Sequence, residues 1–216
     1  MLPLALGPAG GALEILCLGA HSDDIEIGCG GTLLRLLAEH PGSKVHWVVF
    51  TAPGEREHEA NVSARAFLEG AGSAQVQIEQ YRESHFPAQL SEIKSTFERL
   101  KAELRPQLIF THRLSDRHQD HRVVAELTWN TFRNHLIAQF EIPKYEGDLG
   151  SPNCFVPLAR SVAERKVQLI MEYFVSQRSR AWFSPDTFHG LMSVRAVECN
   201  ALEGRAEAFY LDKVTI

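Results

Sequence analysis

Four cysteines in 216 residues, with no C-x-x-C pair among them, leave no disulfide framework to build on. Cys17, Cys29, Cys154 and Cys199 lie mostly in apolar contexts and read as reduced thiols of a cytoplasmic protein. Positive charge is also short: 22 Lys and Arg against 27 Asp and Glu give a formal net charge of −5. No basic stripe of the kind a phosphate backbone needs is present, which argues against a nucleic-acid partner. The apolar N-terminus lacks a basic n-region and is broken by glycines, so residues 1–12 read as a loose arm, neither signal peptide nor membrane span. Repeats, low-complexity tracts and interdomain linkers are missing too. An apolar share of 44% and a charged share of 23% suit a globular chain, and the length suits one α/β core, so 1–216 is expected to be a single domain.

What the chain has is an alternation of strand and helix patterns. Leu13–Leu18 is a short β-rich run, Gly30–His40 has helical spacing, and Val45–Thr51 is a nearly continuous apolar strand. Glu59–Glu69 follows as a helix, Gln75–Ile78 as a strand, Ser91–Leu104 as a helix and Gln107–Thr111 as a strand. A helix over Asp120–Arg133 and a strand near Phe140 precede an irregular, proline- and glycine-rich loop at 143–157. Ser161-x-x-Glu164 reads as a capping box opening a helix to Val175, and a helix over Asp186–Ala201 leads to a last strand, AEAFYL. Strand, helix, strand in this order predicts an α/β, doubly wound sheet whose first strands are parallel.

Two clusters of ligand-type side chains stand at the carboxyl ends of predicted strands, where open α/β sheets bind ligands. LGAHSDDIEIGCGGT at 18–32 carries His21, Asp23, Asp24 and Glu26; THRLSDRHQDHRV at 111–123 carries His112, Asp116, His118, Asp120 and His121. Each of these alone is commonly a surface, core or turn-capping residue; two clusters delivered to one edge point to a metal site. His21, Asp24 and one of the later histidines make a two-nitrogen, one-oxygen set with open positions, as a catalytic cation requires. The intervening Asp23 stays free to act on water or substrate. GCGG reads as a tight turn with a small buried thiol at Cys29, and Glu26 as a turn or supporting group. His112 and Asp116 fit a supporting role or loop structure equally. A dinucleotide fingerprint is disfavoured, because Gly28, Gly30 and Gly31 follow an insert bearing three carboxylates that would repel phosphates.

AHSDDIEIGCGGTL resembles the AHPDD-type signature of the LmbE/PIG-L family of metal-dependent deacetylases, and DRHQDH resembles its DxHxDH signature. Lys166 followed by Ser176-Gln177 is similar to a third segment, KxxxL…SQ; Ser22 and Gln119 replace prolines common in the family, which bears only on turn rigidity. The resemblance implies a Rossmann-like fold, a mostly parallel sheet with helices on both faces, and hydrolysis of an N-acetyl group on an amino sugar or glycoconjugate. It implies one Zn²⁺, or another divalent metal such as Fe²⁺, held by His21, Asp24 and His121, with Asp23 as general base. His118 would stabilise the oxyanion in cationic form, with Asp120 orienting its ring, and Arg56, in an RxxE context with Glu59, would contact substrate. Tyr145, Asp148 and Asn153 in the long loop, with Trp182 and Phe183 beyond it, are candidate sugar contacts. Several relatives assemble, so a homo-oligomer is an expectation. A metal-dependent phosphoesterase on the same ligands and a non-catalytic metal-stabilised binding protein are the competing readings.

Overall fold

In the computed structural model, which describes residues 4–7 and 10–215, five strands pair in parallel: β1 (Glu14–His21), β2 (Lys44–Thr51), β3 (Ser73–Ile78), β4 (Leu108–Thr111) and β5 (Leu136–Phe140). β7 (Ala206–Tyr210) adds to β5 in the antiparallel sense, and β6 (Cys154–Pro157) adds to β7 in the same way. The resulting order is β3-β2-β1-β4-β5-β7-β6. From β1 the chain winds outward through β2 and β3, then returns to place β4 on β1's other side. The β1/β4 boundary is therefore the switch point, where crossovers leave in opposite directions and a crevice opens at the strand ends.

Both faces of β1 are buried, as a near-continuous apolar run requires. Ile15 and Cys17 pack on the face covered by α1 (Asp24–Glu39), α2 (Glu55–Phe67) and α5 (Arg160–Tyr173). Leu16, Leu18 and Ala20 pack on the other face, against Ile93, Phe97 and Leu100 of α3 (Leu90–Glu103) and Val123, Val124 and Leu127 of α4 (Gln119–Thr131). The last helix, α6 (Pro185–Cys199), packs against β6 and β7.

Several sequence expectations are corrected. α1 begins at Asp24, not at Gly30, so the acidic stretch is the first turns of a helix and GCGG lies inside it. Glycine disfavours a helix interior by about 1 kcal/mol each, but packing overrides propensity here: a Cβ on Gly30 would come within 2.6 Å of the Phe67 ring, and one on Gly28 would overlap Phe140. The same helix is pinned at mid-length by a buried ion pair. Glu207 accepts the N–H groups of Gly31 (2.8 Å) and Thr32 (2.6 Å), while Lys166 donates to Glu207 (2.5 Å) and to the Ile27 carbonyl (2.6 Å).

α2 starts at Glu55 rather than Glu59. α5 opens at Arg160 after an uncapped Ala159, so Ser161-x-x-Glu164 is no capping box. The 143–157 loop ends in a strand, β6, because Cys154–Pro157 completes the edge beyond β7. Residues 4–7 and 10–12 hold no helix or strand, and the remainder of the expected N-terminal arm lies outside the described residues.

Candidate active site

β1 delivers His21 and β4 delivers His112 to the crevice; α1 and α4 begin there, with Asp23 and His118 as their N-cap residues. His21, Asp24 and His121 come together. His21 Nδ1 lies 3.1 Å from His121 Nε2 and 3.4 Å from Asp24 Oδ2, and His121 Nε2 lies 3.5 Å from Asp24 Oδ1. Donors bonded at about 2 Å to one tetrahedral cation stand about 3.3 Å apart, so the two ring nitrogens and the Asp24 carboxylate, which meets each of them through a different oxygen, have the spacing of a ligand set.

The other ring nitrogens assign which lone pairs are available. His21 Nε2 is 3.2 Å from Asp120 Oδ2, and His121 Nδ1 is 3.0 Å from Asp116 Oδ2. Each ring donates its N–H outward to a buried carboxylate and turns the remaining lone pair to the centre, as metal-bound histidines do. Asp24 is oriented by the His21 backbone N–H at 2.7 Å.

His118 and His112 also have ring nitrogens close enough to join a ligand group, in the sets His21–His118–His121 and Asp24–His112–His121. Their hydrogen bonds point elsewhere. His118 Nδ1 accepts the Asp120 N–H at 3.3 Å, which leaves the proton on Nε2 and makes that atom a donor. His112 Nε2 accepts the Ala20 N–H at 2.9 Å and lies 3.2 Å from Asp24 Oδ2, with the ring fully buried and stacked 3.9 Å from His121. His112 therefore lies beneath the ligands as packing for them.

The electrostatics separate the two histidines, and a cation would have to displace the Nδ1 proton of His21 to use its lone pair. Burial opposes a charged His21, yet the carboxylates of Asp120 and Asp24 outweigh it and push the ring up to about 10. Burial, reinforced by the charge of His112, holds His121 down at about 3. Burial also resists ionisation of Asp24, but His121 and His112 keep its carboxyl well below the usual range. Asp116 and Asp120 are likewise lowered against their burial, chiefly by hydrogen bonds from His121 and His21 respectively.

Asp23 breaks local rules. It is the N-cap of α1, yet its backbone is left-handed at φ 111 and its side chain caps nothing. An aspartate in that position normally accepts a helix N–H. Among the described residues the carboxylate's one hydrogen-bond partner is Arg56 Nη2, at 3.4 Å, and burial pushes it up to about 7 even though Arg56 opposes the shift. A left-handed N-cap aspartate that withholds its cap is a local departure from both backbone and capping preferences.

Two expected roles change. The Asp120 carboxylate does not hold His118; it binds His21 and the N–H groups of Ser84 (2.6 Å) and Phe86 (3.1 Å). His118 is not favoured as a cation either, since burial and then the charge of His21 lower its pKa. A neutral ring with Nε2–H remains a hydrogen-bond donor. Arg56 donates to the Ser22 carbonyl at 2.9 Å and reaches Glu83 at 3.4 Å, so it is largely engaged within the protein.

The loop candidates separate. Asp148 is bound to Lys144 (2.7 Å) and the Arg117 N–H (2.7 Å), and Lys144 continues to Asp116 (3.0 Å), so Asp148 ends a brace running from His121. Asn153 exchanges two hydrogen bonds with the Leu211 backbone and is spent on the β6–β7 edge. Tyr145 is 70% exposed. Phe183 is a core residue. Lys144 as the far support of His121 had no signal in the sequence, because a lysine 28 positions from Asp116 has no spacing rule to place it.

Comparison with known proteins adds the following. The family model described as GlcNAc-PI de-N-acetylase, PIG-L, matches residues 16–132, more than half of the chain. The curated Escherichia coli (strain K12) protein YaiS, named an uncharacterized deacetylase, is 30% identical over 123 residues. That match takes in 52% of this chain and 64% of the relative, so the chain spans somewhat less than two thirds of YaiS. N,N'-diacetylchitobiose deacetylase from Pyrococcus horikoshii superposes with a TM-score of 0.72 at 19% identity, over 94% of this chain and 84% of that one. GalB, the 4-carboxy-2-hydroxymuconate hydratase of Pseudomonas putida KT2440, superposes equally well, at 0.72 with 16% identity over 94% and 98% of the two chains. A deacetylase and a hydratase thus share this architecture, and fold alone does not select the reaction.

Proposed function

Since this chain belongs to the PIG-L family, we propose that it is a metal-dependent hydrolase that removes an N-acetyl group from an amino sugar or sugar conjugate. His21, Asp24 and His121 would hold the cation, Zn²⁺ by the chemistry of two imidazoles and a carboxylate, with Fe²⁺ as the alternative. When bound, such an ion supplies Lewis acidity and makes water deprotonable near neutral pH.

The chain's own residues supply the rest. Asp23, with a carboxylate that caps nothing and a pKa raised to about 7 by burial, accepts the proton of the attacking water. Water oxygen bonds to the acetamide carbon, and the carbonyl oxygen gains negative charge. His118 Nε2–H is oriented to donate to that oxygen because Nδ1 is tied to the α4 backbone. As the C–N bond breaks, Asp23 returns its proton to the departing nitrogen, giving acetate and an amine. Asp120 and Asp116 hold the two histidine ligands in the required tautomers.

Asp23 is the single observation that carries this reading. A binding site needs no strained, uncapping, buried carboxylate beside its ligands, and that residue weighs against the non-catalytic alternative. The test measures acetate release from N-acetylglucosamine derivatives beside phosphate release from generic phosphoesters, using zinc-loaded protein. Acetate release lost in Asp23→Asn supports the proposal; phosphate release alone, or no turnover of any acetamide, overturns it. A reducing, cytoplasmic setting is proposed from the four unpaired cysteines. Among the described residues no helix is long and apolar enough to cross a membrane.

A further inference from the structure

The 141–150 loop, which follows β5, is fastened at its base and along its length. At the base, Arg195 of α6 forks both oxygens of Glu141 at 2.8 Å each, and its Nη2 also reaches the Gly150 carbonyl at 3.0 Å. Along its length the loop is lashed to the 113–117 segment, which leaves β4 and leads into His118. Arg117 gives its N–H to Asp148 (2.7 Å) and its Nη1 to the Glu146 carbonyl (2.9 Å), and Arg113 Nη1 reaches the Asp148 carbonyl (2.9 Å). The loop thus forms a wall beside the crevice at the strand ends.

One of its contacts reaches past this neighbouring segment. Lys144 has a side chain only 8% exposed, and lysine is rarely buried unless paired. Its ammonium lies 2.7 Å from Asp148 Oδ1 and 3.0 Å from Asp116 Oδ2, the same oxygen that accepts His121 Nδ1–H at 3.0 Å. Asp116 Oδ1 accepts the His118 N–H. Closing the loop does not require the bond to Asp116, because Asp148 and the two arginines already fasten it. When the loop moves away, Lys144 leaves with it, and the carboxylate that orients the His121 ring loses one of the groups that fix it.

Building on the ligand assignment of the deacetylase reading, we propose that Lys144 is a positioning residue that couples the 141–150 loop to metal bound at His121. A loop position in which Lys144 has left Asp116 holds His121 less well and binds the cation less tightly. By linkage, the bound cation disfavours that position. The wall of the crevice and the metal centre are then completed together, each stabilising the other by the same free energy.

Amide hydrogen exchange read by mass spectrometry tests this on the full chain, with and without saturating zinc. The amides of Gly147 and Gly150, bonded at 3.4 Å to the Lys144 carbonyl and the Glu141 carboxylate, report opening of the loop. Peptides covering 141–150 should exchange about fivefold or more slowly with zinc, the low end of typical site-to-site coupling, with β3 at the far sheet edge as the reference. In Lys144→Met, its fold checked by circular dichroism and its site saturated with excess zinc, that protection should be lost. Lys144→Gln, whose amide is too short to bridge both carboxylates, is the second variant and should behave alike. Loop exchange indifferent to zinc in the unaltered protein overturns the proposal whether or not either variant folds, and it is the result a purely structural lysine predicts. Protection that persists in a folded variant also overturns it, because the coupling would then run through Arg113 or Arg117. Failure of the ligand assignment looks different: the unaltered protein takes up no zinc, or His121→Ala takes up as much, and the proposal falls with it. Zinc uptake that depends on His121, beside a loop that ignores it, removes the coupling alone.

Discussion

Replacing Asp116 by asparagine tests the ligand assignment at a residue that does not touch the cation. Asp116 Oδ1 accepts the His118 backbone N–H at 2.7 Å, and Oδ2 accepts His121 Nδ1–H and the Lys144 ammonium, each at 3.0 Å. An amide cannot reproduce this pattern of three donors. If its oxygen stays with His118 N–H, its NH₂ faces His121 Nδ1. The imidazole must then accept there and carry its proton on Nε2, where the metal should bind. If the amide turns over, NH₂ faces the His118 N–H and leaves a donor unpaired at the start of α4. Loss of such a support to a ligating histidine weakens metal binding by about 10- to 100-fold, or about 1.4–2.7 kcal/mol. Competition with a chromophoric chelator measures this, with circular dichroism confirming the fold. His118→Ala, assayed alongside, should keep the metal and lose turnover, because His118 Nε2 is assigned as a donor. An Asp116→Asn protein with native fold and unaltered zinc affinity would refute the tautomer argument, and zinc loss in His118→Ala equal to that in His121→Ala would show that the two histidines were exchanged.

Other outcomes follow from single contacts. Asp23→Asn should retain zinc and lose about a hundredfold or more in kcat; Arg56→Ala, by removing the positive charge that lowers Asp23, should move the acid limb of kcat/KM to higher pH. A limb that stays in place would dissociate Arg56 from the base. Glu26 is buried, neither of its oxygens has a partner among the described residues, and burial pushes it from 4.5 up to about 8. The folded chain then binds the proton more tightly than the unfolded one, so stability is fully present below about 4.5 and falls as pH rises to about 8. Glu26→Gln should flatten that fall, on the order of a few kcal/mol, in urea titrations across the window. Gly30→Ala gains about 1 kcal/mol in helix propensity but places a Cβ 2.6 Å from Phe67. Overpacking costs about 1–3 kcal/mol, so the midpoint of thermal unfolding should drop, and a rise would show that the Phe67 ring yields freely.

Much of the site was legible because its residues are close in sequence. His21, Asp23 and Asp24 fall within four positions, and His118, Asp120 and His121 within another four, each run attached to the end of a strand. A spacing rule can act over such distances. The supports span longer separations: Asp116 to Lys144, Glu59 to Ser176, and Glu207 to Gly31 are 28, 117 and 176 residues apart. Asp148 and Asn153 misled for a related reason, since a polar residue in a long loop looks available until its backbone partners are known.

The sequence by itself determined the α/β alternation, the burial of β1 on both faces and the presence of two ligand clusters at one sheet edge, because periodicity and strand-end position are local properties. Only the tertiary structure decided the start of α1, where the fit of Gly28 and Gly30 against Phe140 and Phe67 outweighs the poor helix propensity of glycine. It also decided which nitrogen of each histidine faces the centre. Two histidines three apart are equivalent by spacing, and they become different when His121 meets the carboxylate of Asp116 and His118 meets the backbone of α4. A tautomer is set by whichever acceptor or donor the other nitrogen finds, and that partner is a fact of packing in three dimensions.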